Sequence, residues 1–447
     1  MSLVNGKDVR NFLCLAIIFL IGFQQFPVIR IGGSFKLYEL ISIVLFFASL
    51  ATGEMNRQKE LFSFLFFIVS PFVSYVFFLV GWQNDIHGYY ERFGNWDEFR
   101  YNYYVATFVS FFYFFLCWVA FSEISKNHWL YLNRRRVIRG IVLSAHVIGW
   151  YAILSSISNG VFNIPTPIQL LPDWLQNIGD VSYGIRASGF SQEPSFYVFF
   201  QGWVVIFTYY YRHYFSKVSG VYFFVFSSIC LFLTLSSALV GFVFACFLSS
   251  LFNSTLMRKI KAGVAVLLFS LILIMISVYY GFGDLIYYAF FEKLQNFFSE
   301  PETTIGSGQF RAYTASLGFH IFRDYPFFGV GPGASIFFMH AYEGQIPIKI
   351  YGETLNAGSF PQNTYVSILS DLGVLGFLSL SFFLLYVYRV IRNARRISED
   401  MAPFHVGVIF TLAALLSIAP AYSMFIWVFL ALGVCFSRGI IKDHANK

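Results

Sequence analysis

Charge is scarce in this sequence. Only 12% of its 447 residues are Asp, Glu, Lys or Arg, while 57% are hydrophobic. A soluble domain carries about 25% charged residues to cover its surface. The shortage excludes a water-soluble globule and points to an all-α polytopic membrane protein. Cysteine is also sparse. Cys14, Cys117, Cys230, Cys246 and Cys435 all fall in apolar runs, with no CxxC pair, which excludes a disulfide scaffold and a thiolate metal site. No HxxxH, DxD or Cys/His cluster stands in the connections expected on the outer side, so there is no metal signal. The net charge of +7 does not indicate nucleic acid, because the cations are spread over short connections instead of clustering on one soluble domain.

What the sequence has in quantity is apolar length. Crossing a bilayer takes about 20 apolar residues per helix. Runs near that length recur at 11–28, 37–53, 61–80, 104–122, 137–157, 194–211, 262–281, 364–388, 403–419 and 421–437. The stretch 219–252 is too long for one helix and reads as two short spans broken at Ser236-Ser237, giving about 12 transmembrane helices in all. The first run follows Lys7 and Arg10 and is not succeeded by a small-x-small cleavage pattern, so it reads as an uncleaved first span.

Alternating the spans from a cytoplasmic N-terminus leaves nine of the 30 Lys and Arg outside: Arg30, Lys36, Arg92, Arg100, Arg186, Lys293, Arg311, Arg323 and Lys349. The remainder lie inside, as the positive-inside rule requires, with both termini cytoplasmic. A single helix over 219–252 would invert everything after it and place Arg389 to Arg396 outside.

This topology divides the chain into 1–281, with nine spans and outer loops 81–103 and 158–193; 282–363, a large outer loop; and 364–447, with the last three spans. Long connections usually carry function, so the chemistry is expected on the outer side. The large loop contains two helical stripes. One runs from Asp284 to Phe298, and the other from Gln309 to Arg323 with Phe310, Tyr313, Leu317 and Ile321 on one face and Pro326 as its stop. Both are expected to lie on the membrane surface. Gly329-Val330-Gly331-Pro332-Gly333 then forces a tight turn.

Few cations face outward, so each is informative. Arg186 precedes a span, Arg311 begins the second loop helix and Arg323 ends it. An Arg fork suits phosphate; equally, these residues can pair with local acids such as Glu193 or Asp324. Ser191 and Asn363 are N-cap types ahead of apolar runs, and helix N-termini there would favour an anion. Glu193 has two readings, a general base for a sugar hydroxyl or a first-turn carboxylate favouring the helix dipole. His87, His320 and His340 are loop histidines, each a surface residue or a catalytic one.

Three stretches carry a resemblance. Arg186-Ala187-Ser188-Gly189-Phe190-Ser191-Gln192-Glu193-Pro194-Ser195 resembles the Arg-x-x-Gly…Glu-Pro-Ser stretch of bacterial O-antigen polymerases. Arg311, followed by Pro326-Phe327-Phe328-Gly329-Val330-Gly331-Pro332-Gly333, is similar to the Arg…Pro-x-x-Gly-x-Gly segment shared by those polymerases and O-antigen ligases. Pro361-Gln362-Asn363-Thr364-Tyr365, ending in Asp371-Leu372-Gly373-Val374-Leu375-Gly376, resembles their His-Asn-x-Tyr-Leu…Glu-x-Gly-x-x-Gly segment. The three stand in the family's order.

The resemblance implies a bacterial inner-membrane glycosyltransferase of the C-type architecture, inverting and metal-independent, with its active site at the periplasmic face. Its substrates would be oligosaccharides on undecaprenyl pyrophosphate, with no cofactor and no nucleotide sugar, and a chain-length regulator is a natural partner. Arg186 and Arg311 match family positions that hold the pyrophosphate. With Glu193 they form the expected catalytic set, and Arg323, His340, Gln362, Asn363 and Tyr365 complete the substrate-binding set. Gln362 stands where ligases and many polymerases have His, which leaves the base open with Glu193 first. The expected function is a polymerase of lipid-linked repeat units. The alternatives are an O-antigen ligase acting on lipid A core and, from another class, a lipid-linked oligosaccharide or sugar transporter. Spans nearly bare of ionisable groups disfavour the transporter.

Overall fold

A computed structural model of the chain describes residues 6–24, 28–30, 34–52, 61–81, 96–162, 164–165, 170, 172, 186–191, 193–236, 238–253, 307–339, 341–342 and 360–446. The span expected at 262–281, the stripe Asp284–Phe298, most of the loops 81–103 and 158–193, and His87 and His340 lie outside the described residues.

The described chain is helical. α1 (Gly6–Leu20) and α2 (Leu37–Ala51) are joined through an antiparallel ribbon of β1 (Val28–Arg30) and β2 (Ser34–Lys36), with Val28 opposite Lys36. Next come α3 over 61–81, with a π-type stretch at Leu65–Val69, then α4 (Trp96–Lys126), α5 (Arg134–Phe162), α6 (Pro194–Tyr210), α7 (Lys217–Phe232) and α8 (Ala238–Asn253). The loop helix α9 (Ser307–Asp324) precedes α10 (Thr364–Ile397), α11 (Ala402–Ala414) and α12 (Met424–Ala445). Among the described residues, four helices are long and apolar enough to cross a membrane: Arg100–Lys126, Arg134–Asn159, Thr364–Ile397 and Met424–Ala445. Leu37–Ala51, Leu61–Phe77, Lys217–Phe232 and Ala238–Leu248 are shorter apolar helices.

Three boundaries differ from the sequence reading or refine it. The first run is helical only to Leu20, and the chain is already in a strand at Val28. The long stretch 219–252 does break, between Phe232 and Ala238, with Leu235 in the left-handed region at φ 45°. The last two helices are separated by more than Ala419-Pro420-Ala421. α11 stops at Ala414 because the following turn is used by the start of α10: Thr364 N–H donates to Leu415 O at 2.9 Å, and the Thr364 hydroxyl donates to Ile418 O.

α12 is the central helix. Every residue from Met424 to Ser437 is buried, as expected of a helix that is apolar on all sides; α4, α10 and α11 are among the helices packed around it. Large apolar side chains point outward on the surrounding helices, including Val44, Phe47, Phe72, Phe108, Leu143, Phe244 and Phe382. Such exposed apolar surface marks a lipid-facing exterior, and the protein is a multi-pass all-α membrane protein.

Polar contacts gather at the two ends of the bundle. At one end Arg10 pairs with Glu123 at 3.7 Å, Arg139 Nε donates to Tyr214 O at 2.7 Å, and Arg438 donates to Tyr386 Oη at 2.8 Å and Ser125 O at 3.2 Å. These cations are ones the charge alternation assigns to the inside. Among the described residues, the other end collects the β-ribbon, residues 186–191 and Glu193, the turn after α7, α9, residues 360–363 and the connection 415–423.

The stripe of α9 is not spent on the membrane surface. Tyr313, Leu317 and Ile321 form a second small core with Tyr103, Val330, Ala334, Phe338 and Met339. α9 lies against α10, so its apolar face is covered by protein.

The glycine-rich turn after α9 fills a break in α10. At Gly373 the backbone leaves the helical region (φ 65°, ψ −161°), which frees backbone groups that need partners within the protein. Segment 326–331 supplies them. Val330 N–H donates to Ser370 O, Gly331 N–H to Asp371 O, and Val374 N–H to Pro326 O, each at 2.8–2.9 Å. The Ser74 hydroxyl lies 2.6 Å from Phe328 O and 2.9 Å from Asp371 O, tying α3 to both segments. The Asp371 carboxylate accepts Ser335 N–H at 3.0 Å.

Candidate functional site

Three segments meet around Arg311. The first leads into α6. Ala187 N–H donates to Leu233 O at 2.8 Å and Arg186 Nε to Thr234 O at 3.3 Å, which pins this segment to the α7–α8 turn. A tight turn follows, with Ser191 N–H donating to Ser188 O at 3.0 Å, and Glu193 becomes the N-cap of α6 with Pro194 behind it. Ser191, the expected cap residue, does not cap: its hydroxyl is buried without a hydrogen-bond partner among the described residues. Pro194 lacks an N–H and has a φ suited to a first helical turn, which places the start of α6 after Glu193.

The Glu193 carboxylate makes no capping hydrogen bond to the helix backbone. It accepts the Ser195 hydroxyl at 3.0 Å and pairs with Arg311 at 3.5 Å. The Arg311 and Glu193 side chains are 18% and 31% exposed, so the pair is largely withdrawn from water. Arg311 Nε is buried with no hydrogen-bond partner among the described residues. Burial pulls the guanidinium below its usual range, and Glu193 opposes that shift. A guanidinium with one carboxylate and unused donor capacity is under-satisfied in this state, and a buried charge gains most from further hydrogen-bonding partners.

The third segment leads into α10. Asn363 caps it, its Oδ1 accepting Tyr365 N–H at 3.0 Å and Val366 N–H at 3.2 Å. Gln362 N–H donates to Thr314 Oγ1 at 3.3 Å, and the Thr314 hydroxyl reaches Arg311 O at 3.2 Å. Gln362 is thereby held within one turn of Arg311. The close approach runs through Gly318, where any side chain would meet Pro361 and Val366. Tyr365 turns away, its hydroxyl donating to Leu412 O at 2.9 Å.

The structure therefore brings Glu193, Arg311 and Gln362 together, with Arg186 just before the turn that precedes Glu193. It separates Arg323, which lies 12 residues further along α9, about 18 Å at 1.5 Å per residue. There its side chain is 65% exposed and pairs with Asp324 at 3.4 Å. Both acids named as local partners are thus in use, Glu193 by Arg311 and Asp324 by Arg323. His320 packs against Tyr342, ring centroids 6.0 Å apart. Sequence reasoning missed Thr314 and Ser195. The Glu-Pro-Ser run hints at Ser195, but nothing in the sequence marks Thr314, whose role depends on how α9 docks.

Such a fold and site define a class: a helical membrane protein with a buried cation–carboxylate site at one end of its bundle. Residues 222–381 match the family model described as O-Antigen ligase, which supports the O-antigen polymerase/ligase superfamily that the motifs resemble. The matched stretch contains Arg311, the glycine-rich turn and the first half of α10 with its kink, and begins after Arg186 and Glu193. No curated protein matches the chain.

Proposed function

We propose that the protein polymerises oligosaccharide repeat units linked to undecaprenyl pyrophosphate, transferring the growing glycan to a new lipid-linked repeat and releasing undecaprenyl pyrophosphate. The site is periplasmic, in a bacterial inner-membrane protein with both termini in the cytoplasm, and a chain-length regulator is its natural partner. The observation that carries this reading is the Glu193–Arg311 pair at 3.5 Å, with an Arg311 Nε that has no hydrogen-bond partner among the described residues.

The chemistry follows from those groups. The leaving group is a pyrophosphate, so charge developing on it must be stabilised. Arg311, with Arg186, offers fixed guanidinium donors. When the diphosphate reaches Arg311 it takes over the guanidinium and releases Glu193. Glu193 then accepts the proton from the acceptor hydroxyl as that oxygen bonds to the anomeric carbon. The glycosidic bond to the pyrophosphate oxygen breaks on the opposite face, inverting the anomeric centre without a metal. Gln362 and Asn363 line the approach from α10, and His340 belongs to the same proposed substrate-binding set.

A second reading is a ligase that passes the glycan to lipid A core, favoured by the description of the matched family. Gln362, in the place of the ligase histidine, opposes it. The gene is deleted and complemented with wild type or Arg311→Ala, and surface polysaccharide is run on a gel. Loss of the long-chain ladder with one repeat still on the core, unrestored by Arg311→Ala, supports the polymerase. Removing one such donor typically lowers rate at least about 100-fold. Complete loss of glycan from the core identifies a ligase, and an unchanged ladder on deletion excludes both.

A further inference from the structure

A cavity of about 220 Å³ lies beside this site. Its walls include Phe196, in the first turn of α6 after Glu193, and Phe360, two residues before Gln362. The two sites thus share two of their elements, but the cavity's chemistry differs. The charged residues lining it are Lys36 and Glu39. Lys36 Nζ is 3.4 Å from Glu39 Oε1, and Glu39 Oε2 accepts the Lys36 N–H at 2.9 Å. The charges cancel, so the cavity offers no unmatched cation to a phosphate.

It offers hydrogen bonding and an aromatic wall instead. Gln24 lines it, is 2% exposed, and carries an amide Nε2 with no hydrogen-bond partner among the described residues. A buried amide donor left unpaired is costly, and its retention calls for an explanation. Tyr113 and Tyr422, also in the lining, stack with centroids 6.0 Å apart and planes 15° apart. A few placed polar groups on an aromatic wall are the usual make-up of a small-molecule site. An amide, a carboxylate and flat rings together suit a ligand with several hydroxyls and an apolar face. The volume is below the roughly 300 Å³ at which pockets for drug-sized ligands begin, so it suits one ring.

We propose that this cavity is a subsite for one uncharged sugar ring of the lipid-linked glycan, with Gln24 and Glu39 as its hydrogen-bonding groups. The proposal rests on the polymerase reading above and adds a glycan-recognition site separate from the pyrophosphate-binding arginine.

The test uses the full chain purified in detergent and two probes: lipid-linked repeat units extracted from the gene-deleted strain, and undecaprenyl pyrophosphate without glycan. Binding is measured for wild type, Gln24→Leu and Glu39→Gln. Gln24→Leu removes an unpaired amide at similar volume, so the melting temperature of the empty protein is expected to hold or rise. Its affinity for the glycan-bearing lipid is expected to fall tenfold or more, with affinity for the bare lipid unchanged. Glu39→Gln keeps an acceptor for Lys36 N–H and is expected to show the same selective loss. Equal binding of the glycan-bearing lipid by all three proteins, or equal weakening toward both lipids, overturns the subsite and leaves the polymerase reading in place. A wild-type protein that binds neither lipid overturns both.

Discussion

Gly329 and Gly373 are pressed against each other's chain segments. A Cβ on Gly329 would stand 2.3 Å from the Asp371 carbonyl carbon, and one on Gly373 would stand 2.4 Å from that of Phe327. Both residues have φ 65°, a region that L side chains rarely enter. Two motifs far apart in the sequence are thus one mechanical unit: the glycine-rich turn is seated in the break of α10 and anchors the end of α9, while Arg311 in the first turns of α9 lies near Gln362.

Alanine at either glycine combines backbone strain with a backbone clash, so Gly329→Ala and Gly373→Ala are each expected to lose about 2 kcal/mol or more of stability. Gly241→Ala is the control. No described residue lies within 4 Å of its Cβ, and alanine in a helix interior is favoured over glycine by about 1 kcal/mol. Thermal melts of the detergent-purified proteins check this; a melt of Gly373→Ala equal to wild type would refute the clash.

Ser74 gives a milder test of the same unit. Its hydroxyl serves two carbonyls, Phe328 O and Asp371 O. Ser74→Ala is expected to cost about 1 kcal/mol, the usual contribution of a hydrogen bond, and to lower the melting temperature without abolishing the polysaccharide ladder.

Glu193 and Arg311 should be strongly coupled. Arg311→Lys keeps the charge but not the fork that binds a diphosphate, and is expected to restore little of the ladder. In a double-mutant cycle with Glu193→Gln and Arg311→Ala, measured as chain extension by membranes, the two losses should fall short of additivity by more than about 1 kcal/mol, as for contacting residues. Additive losses would mean that the pair does not act as a unit.

Arg323 should behave otherwise. Exposed and paired only with its neighbour Asp324 among the contacts described, it is placed away from the Arg311 site. Arg323→Ala is expected to change stability by no more than about 0.5 kcal/mol and to leave the ladder intact. Loss of the ladder would require a second anion-binding position at the far end of α9.

Much of the architecture was legible in advance because bilayer physics acts on composition. Apolar runs of sufficient length imply helices, and the split of 219–252 followed from its excess length and from charge alternation. The apolar period of 309–323 matched the buried face of α9, with Tyr313, Leu317 and Ile321 all inside. That period could not say what would cover the face, since the same stripe suits a membrane surface or a protein core. The cover is a protein core built by Tyr103 with Val330, Ala334, Phe338 and Met339, from the segment whose first residues are seated in the break at Gly373.

By itself, the sequence determined that the chain is a helical membrane protein, which side chains of its polar connections are chemically capable, and which family its motifs resemble. These properties follow from composition and local order. Only the tertiary structure decided that Glu193 faces Arg311 while Arg323 does not, and that Gln24, Lys36 and Tyr113 line a cavity beside them. Such pairings depend on distances between segments remote in sequence, and those distances are set by how the helices pack and where α10 breaks.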